Sequence, residues 1–234
     1  MPADDFVFPP APQASLAVQG TDARFPMRRI FCVGRNYEAH AREMGKDPTR
    51  EAPFFFTKPA DAALDTPCTI PYPPQTEDLH HEIELVIAIG KGGRNIAEAD
   101  VMDHVWGASV GIDLTRRDLQ AEAKKAGRPW DWGKAFDNSA PIAALKPIAD
   151  VPSVEQGRIW LAVNGEVRQD ADLADLIWSV REHVAILSQS MALAPGDIIM
   201  TGTPAGVAAL VEGDVVTGGV DGIATLEVTI GPRD

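Results

Sequence analysis

The sequence predicts an α+β fold dominated by short strands, and three observations carry that prediction. Stretches rich in β-branched and aromatic residues recur along the chain, from RRIFCVG near its start to GIATLEVTI at its end. Helical spacing with terminal signals is confined to a few segments: NYEAHAREMG, RRDLQAEAKKAG and VREHVAILSQSMAL. These segments do not alternate with strands as βαβ units require, which argues against a doubly wound parallel sheet.

Residues 1–27, with FVFPPAP and GTDARFP, read as an extended, proline-rich arm laid over a domain, with a short strand at SLAVQG. RRIFCVG is a strand that turns at Gly34 into the short helix NYEAHAREMG, closed by Gly45. PFFFTKP is a strand ended by Pro59, LHHEIELVIAIG is a second and WGASVGIDLT a third. Thr115 and Asp118 have the spacing of a capping box for the helix RRDLQAEAKKAG, and Gly127 terminates it. In RIWLAVNGEVRQ, Asn164-Gly165 between alternating runs signals a two-residue hairpin. Ser179 and Glu182 cap VREHVAILSQSMAL, and PGDIIMTGTP, GDVVTGG and GIATLEVTI finish the chain as strands and turns. No internal repeat or linker divides it.

With 234 residues, 45% of them hydrophobic, the chain can build a substantial core. A formal net charge of -13 and the lack of any Lys/Arg block argue against nucleic acid as a partner. No apolar run approaches the roughly 20 residues that span a bilayer, so a soluble protein without membrane association is expected. Cys32 and Cys68 cannot form a disulfide framework and no signal-peptide pattern opens the chain, so a reducing cytoplasm is the expected location.

The chemistry concentrates in LHHEIELVIAIG. On a strand, Ile83, Leu85, Ile87 and Ile89 share one face, and Glu82, Glu84, Val86 and Ala88 the other. A Glu-x-Glu pair alone most often marks a wet face. Here the face becomes apolar immediately after Glu84, and Asp113 adds a carboxylate to another apolar strand, where a lone charge is costly. Three carboxylates suit a hard ion such as Mg²⁺, Mn²⁺ or Ca²⁺ better than zinc. His80 and His81 lack the spacing of a zinc helix, so His81 is expected to pack or to support the site. His40 and Glu43 lie three apart on a helix and can form a dyad, although exposed pairs of this kind are common. Lys134 follows two tryptophans that could hold it partly desolvated or simply pack its stem. TGTP can offer hydroxyl and N–H groups to an anion, or be a plain turn. No Gly-x-Ser-x-Gly elbow supports acyl-enzyme chemistry.

Together, VGRNYEAHAREMG, FFFTKP, HHEIELVIAIGK, GIDLTRRDLQ, WDWGKAFDNSAP, VNGEVRQ and GDIIMTGTPAGV resemble the fumarylacetoacetate hydrolase family, from about Arg28 to the C-terminus. Within that family the chain looks most like the acylpyruvases and the bacterial enzymes that hydrolyse fumarylpyruvate in gentisate breakdown. The resemblance implies a mixed β-sandwich roll with few short helices, formed by residues 28–234 as one catalytic domain and usually assembled as a homodimer. It implies Glu82, Glu84 and Asp113 as ligands of a divalent metal, Mg²⁺ or Mn²⁺. His40 and Glu43 match the dyad that activates water, and Lys134 the catalytic lysine. Arg35, Lys58, Gln120 and Thr203 match substrate-contacting positions. The implied reaction is hydrolysis of a carbon–carbon bond in a small anionic 2,4-diketo acid. Arg35 or Arg117 is the expected partner of the distal carboxylate of fumarylpyruvate, because an arginine fork suits a carboxylate. Oxaloacetate decarboxylation, isomerisation of homocatechuate-pathway acids and a non-catalytic metal-binding module are the rival readings.

Overall fold

The computed structural model describes residues 6–39 and 51–233. A mixed sheet runs in the order Phe54–Lys58, Arg29–Gly34, Asp197–Met200, Ile83–Ile89, Val105–Ile112, Ala140–Ile142 and Ala63–Asp65, with Lys146–Pro147 also on Val105–Ile112. Arg29–Gly34 with Asp197–Met200 and Ala140–Ile142 with Ala63–Asp65 are its parallel pairs. A five-stranded sheet packs on it in the order Glu166–Asp172, Arg158–Val163, Val215–Val220, Ala224–Arg233 and Cys68–Tyr72. Three α-helices lie wholly within the described residues: Arg117–Ala126, Asp131–Lys134 and Val180–Ser190. This is an α+β architecture. None of the described helices is long and apolar enough to cross a membrane.

Period-two patterning explains the main core. Ile83, Leu85, Ile87 and Ile89 are wholly buried and share a cluster with Leu161, Val216, Val228 and Ile230 of the other sheet. Burying each such side chain contributes roughly 1.5–3 kcal/mol. The opposite face of the same strand belongs to a second cluster, in which Val86 and Ala88 join Ile198, Met200, Leu16, Phe25 and Met27. The arm is therefore more structured than an extended segment. Ser15–Val18 and Thr21–Pro26 form an antiparallel hairpin whose apolar side lies in that cluster. The hairpin is tied down by Ala17 N–H to Asp65 Oδ1 at 2.8 Å and by the Gln19 amide to the Ala144 and Ile223 carbonyls.

Local signals are obeyed where tertiary structure does not compete. Asn164 and Gly165 turn their hairpin with φ of 52° and 81°, the two positive values a type I′ turn needs. Ser179 and Glu182 form a reciprocal capping box, and Gly127 closes its helix at φ 63°. The Thr115–Asp118 capping box does not form. Thr115 is paired in a small sheet with His80, which moves the cap position to Arg116, and its hydroxyl donates to the Asp113 carbonyl; Asp118 instead accepts from Thr76 Oγ1 and from the N–H groups of Glu77 and Leu119. Glu38 and Ala39 are helical; the rest of NYEAHAREMG, including His40, Glu43 and Gly45, lies outside the described residues.

Candidate active site

Glu82 and Asp113 flank the ends of two paired strands rather than lying inside them. Ile83 faces Ile112 in the register of Ile83–Ile89 with Val105–Ile112, and one step beyond it Asp113 N–H donates to the Glu82 carbonyl at 2.8 Å. The two side chains are therefore cross-strand neighbours, and Glu84, two residues along, returns to the same face. Glycine at 111 leaves the position opposite Glu84 without a side chain. All three carboxylates are buried, and a ligand oxygen from each lies within 4.8 Å of the others. Hard cations bind oxygens at about 2.0–2.6 Å, so one ion can reach all three.

Cations partly balance this cluster. Lys134 Nζ stands 2.5 Å from Asp113 Oδ2 and 2.9 Å from Glu82 Oε2, and Arg117 Nη2 contacts Glu82 Oε1. Burial alone would lower the Lys134 pKa, but Asp113 and Glu82 outweigh it and hold the ammonium above its ordinary range. Two of the Lys134 N–H groups are given to Glu82 and Asp113, and the third is uncommitted among the described residues. Glu84 goes the other way: burial first, then the charges of Asp113 and Glu82, push its carboxyl well above the usual range, although Gly202 N–H donates to Oε2 at 2.8 Å. The TGTP turn thus serves this glutamate through the Gly202 N–H. Lys58 Nζ lies 2.8 Å from Asp113 Oδ1, a buried ion pair that places a further cation against the cluster. A buried glutamate strained by like charges and an all-oxygen donor set fit a hard divalent cation.

One pocket is lined by Arg35, Glu82, Glu84, Asp113, Arg117, Gln120, Lys134 and Thr203, which brings together most of the residues expected from the sequence. Arg35 sits at φ 56°, unusual for a residue with a side chain, on a turn where the Phe54 ring packs against Gly34; a Cβ at Gly34 would lie 2.1 Å from that ring. Its guanidinium stacks on Phe54 at 5.3 Å and makes no ion pair among the described residues. Arg117 is already committed to Glu82, to Gln120 Oε1 at 2.6 Å and to His80 Nδ1 at 3.4 Å. Lys58 does not line the pocket. Its ammonium contacts the Leu114 and Lys134 carbonyls and Asp113, which leaves no donor for a ligand. His40 and Glu43 fall outside the described residues.

Val33, Gly34, Phe56, Lys124 and Trp130 also line the pocket without having been expected there, and two of them bear on its chemistry. Lys124 follows Arg117 and Gln120 at i+7 and i+4, so helical spacing could have placed it on the same face. Trp130, one of the two tryptophans before Lys134, meets Phe54 edge-on at 5.3 Å and forms an aromatic wall. The result is an acidic floor able to hold a dication beneath arginine and lysine side chains, an arrangement suited to an anion that also ligates the metal.

Residues 29–231 match the family model for the fumarylacetoacetate (FAA) hydrolase C-terminal domain. A fumarylpyruvate hydrolase from Ralstonia sp is 44% identical over 188 residues, covering 80% of this chain and 97% of that protein. The human mitochondrial oxaloacetate tautomerase FAHD1 is 39% identical over 199 residues, covering 85% of this chain and 90% of its own length. The crystal structure of fumarylpyruvate hydrolase from Pseudomonas aeruginosa in complex with Mn²⁺ and pyruvate superposes with a TM-score of 0.95 at 50% identity, covering 97% of this chain and 100% of that one. With the fold, the acidic cluster and the match over most of its length in agreement, the chain belongs to the fumarylacetoacetate hydrolase family.

Proposed function

We propose that this protein is a metal-dependent hydrolase that cleaves the carbon–carbon bond of 2,4-diketo acids, with fumarylpyruvate, giving fumarate and pyruvate, as its substrate. The observation that carries the reading is the buried Glu82–Glu84–Asp113 cluster at the base of a pocket whose other charged lining residues are cations. The relatives of known activity support it, since a fumarylpyruvate hydrolase and a structure of one with Mn²⁺ and pyruvate are among them.

A divalent ion on the three carboxylates supplies Lewis-acid polarisation of the oxo-acid oxygens. Lys134, whose Nζ stands beside Glu82 and Asp113, donates to the negative charge that develops on the pyruvyl half as the bond breaks. His40, oriented by Glu43, is assigned on the sequence alone to take a proton from the water that adds at the C4 carbonyl. Arg35, whose guanidinium rests on Phe54 without a carboxylate partner among the described residues, receives the distal carboxylate of fumarylpyruvate. Arg117 is the poorer candidate because Glu82 and Gln120 already occupy its fork.

Oxaloacetate tautomerisation is the second reading, favoured by the FAHD1 relatives at 38–39% identity. An assay of fumarylpyruvate, acetylpyruvate and oxaloacetate with Mg²⁺ or Mn²⁺ separates the two. Release of fumarate and pyruvate is the expected result. Rapid enol–keto conversion of oxaloacetate with no bond cleavage would replace the hydrolase reading. A cytoplasmic homodimer acting in the breakdown of aromatic acids is part of the same proposal and rests on the family resemblance.

A further inference from the structure

Gln169 is the single buried residue of the Glu166–Asp172 strand, whose other members are exposed or half-buried. Leu161 pairs with Gln169 and Ala162 with Val167, so Arg168 is an extra, bulged residue between them. A bulge re-aims the side chain beside it, and here it turns a polar group from an exposed edge strand into the molecule. Gly206, at φ 95°, lies directly over the bulge, where a Cβ would stand 2.0 Å from the Arg168 carbonyl oxygen. The loop after Thr203 is thereby seated on this strand.

Inside, the Gln169 amide has all four hydrogen-bond positions filled. Oε1 accepts from Ile83 N–H at 3.2 Å and pairs with His81 Nδ1 at 2.9 Å; Nε2 donates to Thr203 Oγ1 and to the Pro204 carbonyl, each at 2.8 Å. The Ile83 N–H can only donate and the Pro204 carbonyl can only accept, so the orientation of the amide is fixed. It follows that His81 carries its proton on Nδ1 and that Thr203 Oγ1 is an acceptor from Gln169. The Thr203 hydroxyl proton is left to point away from the amide, and Thr203 lines the pocket with Glu82, Glu84 and Asp113.

We infer that Gln169 is a positioning residue: it binds both sequence neighbours of Glu82 to the turn that carries Thr203 and presents the Thr203 hydroxyl as a donor to an anionic oxygen of the bound oxo acid. The identity of that ligand rests on the proposed diketo-acid function; the hydrogen-bond logic does not.

The test compares Gln169→Met, Gln169→Glu, Thr203→Val, Thr203→Ser and the Gln169→Met/Thr203→Val double variant. Calorimetry measures Mn²⁺ binding and then pyruvate binding to the Mn²⁺-loaded protein, alongside kcat and KM for the diketo acid. Gln169→Met and Thr203→Val should each weaken pyruvate binding on the order of 10- to 100-fold, the cost of one hydrogen bond to a charged group, with Mn²⁺ affinity near wild type. Gln169→Glu keeps the shape and the Oε1 acceptor but turns the Nε2 donor into an oxygen that faces the Pro204 carbonyl and draws the Thr203 proton to itself, so it should weaken pyruvate binding as well. It also serves if the methionine variant melts too low to assay. Thr203→Ser should retain binding. Because Gln169 acts through the hydroxyl, Gln169→Met should add little once Thr203 is valine. Additive losses in the double variant, unchanged pyruvate affinity, or a collapse of Mn²⁺ binding in Gln169→Met would each overturn the inference. If the wild type cleaves no diketo acid yet the non-additive loss of pyruvate binding is seen, the proposed function fails and the positioning role stands.

Discussion

Replacing Glu84 with glutamine should move the stability of the apo protein and its response to metal in opposite directions. In the apo protein Glu84 is a buried carboxylate beside Asp113 and Glu82, and burial with those two charges raises its pKa well above the ordinary value. Its ionised form therefore opposes folding. A glutamine of the same shape still accepts the Gly202 N–H and removes the repulsion, so the apo variant should melt at or above the wild-type temperature. With metal the order reverses. At a Mn²⁺ concentration 100 times the wild-type Kd, mass action stabilises the native state by about 2.7 kcal/mol, and for a domain of this size each kcal/mol shifts Tm by roughly 2–4 °C. The wild type should gain about 5–11 °C. A 100-fold loss of affinity on removing one anionic ligand leaves the variant with metal at its Kd, worth about 0.4 kcal/mol, or about 1–2 °C. Scanning calorimetry of chelator-treated protein with and without Mn²⁺ measures both quantities. A Glu84→Gln protein that keeps the full metal shift, or whose apo form melts well below wild type, would refute the assignment of Glu84 as a ligand strained by like charge.

His40→Ala should lower kcat by roughly 10² to 10⁴ while leaving the Mn²⁺-induced Tm shift intact, because a general base is lost and no ligand is; full activity would mean the residue is idle. Arg35→Ala should reduce kcat/KM for fumarylpyruvate about 10- to 150-fold and leave acetylpyruvate, which lacks the distal carboxylate, near wild type; equal losses on both acids would remove Arg35 from the far end of the pocket. His183 supplies a pH test remote from the metal ligands: burial holds its pKa down to about 4, against the partial compensation of its contact with the Trp178 carbonyl. The unfolded chain binds the extra proton first as pH falls, so the stability from keeping this imidazole neutral is full above about 6.5 and is lost toward pH 4. It amounts to about 3 kcal/mol. Denaturant titrations from pH 7 to 4 should show a flatter decline in His183→Asn, and identical slopes would refute the buried neutral histidine.

What the sequence made legible was what short-range chemistry decides. A turn that needs two positive φ values shows itself as Asn164-Gly165, and the reciprocal cap at Ser179 and Glu182 needs only its own four residues. Glu82, Glu84 and Asp113 stood out because charges among apolar strand residues require a reason. The Thr115 cap failed because pairing with His80 claimed that residue, a competition that involves a segment 35 positions away. Gln169 was invisible for a related reason. In the pattern it alternates on an exposed strand, and only a bulge set by the partner strand's register turns it inward. Lys58 carried the right charge in the right segment, yet its ammonium is spent on two main-chain carbonyls and Asp113, partners that lie 55 or more positions away in sequence.

The N-terminal hairpin shows that the limits of a family match are not the limits of a foldable unit. The family match begins at residue 29, so trimming to it would discard Leu16, Phe25 and Met27. Those side chains shield Val86, Ala88, Ile198 and Met200, and the protein left behind would present a broad, flat, hydrophobic β-surface. Such a surface invites sticking to other molecules, so a minimal catalytic fragment should precipitate when expressed even though every metal ligand is retained. For this chain, the segment that lies outside the family model is the cover of an apolar face.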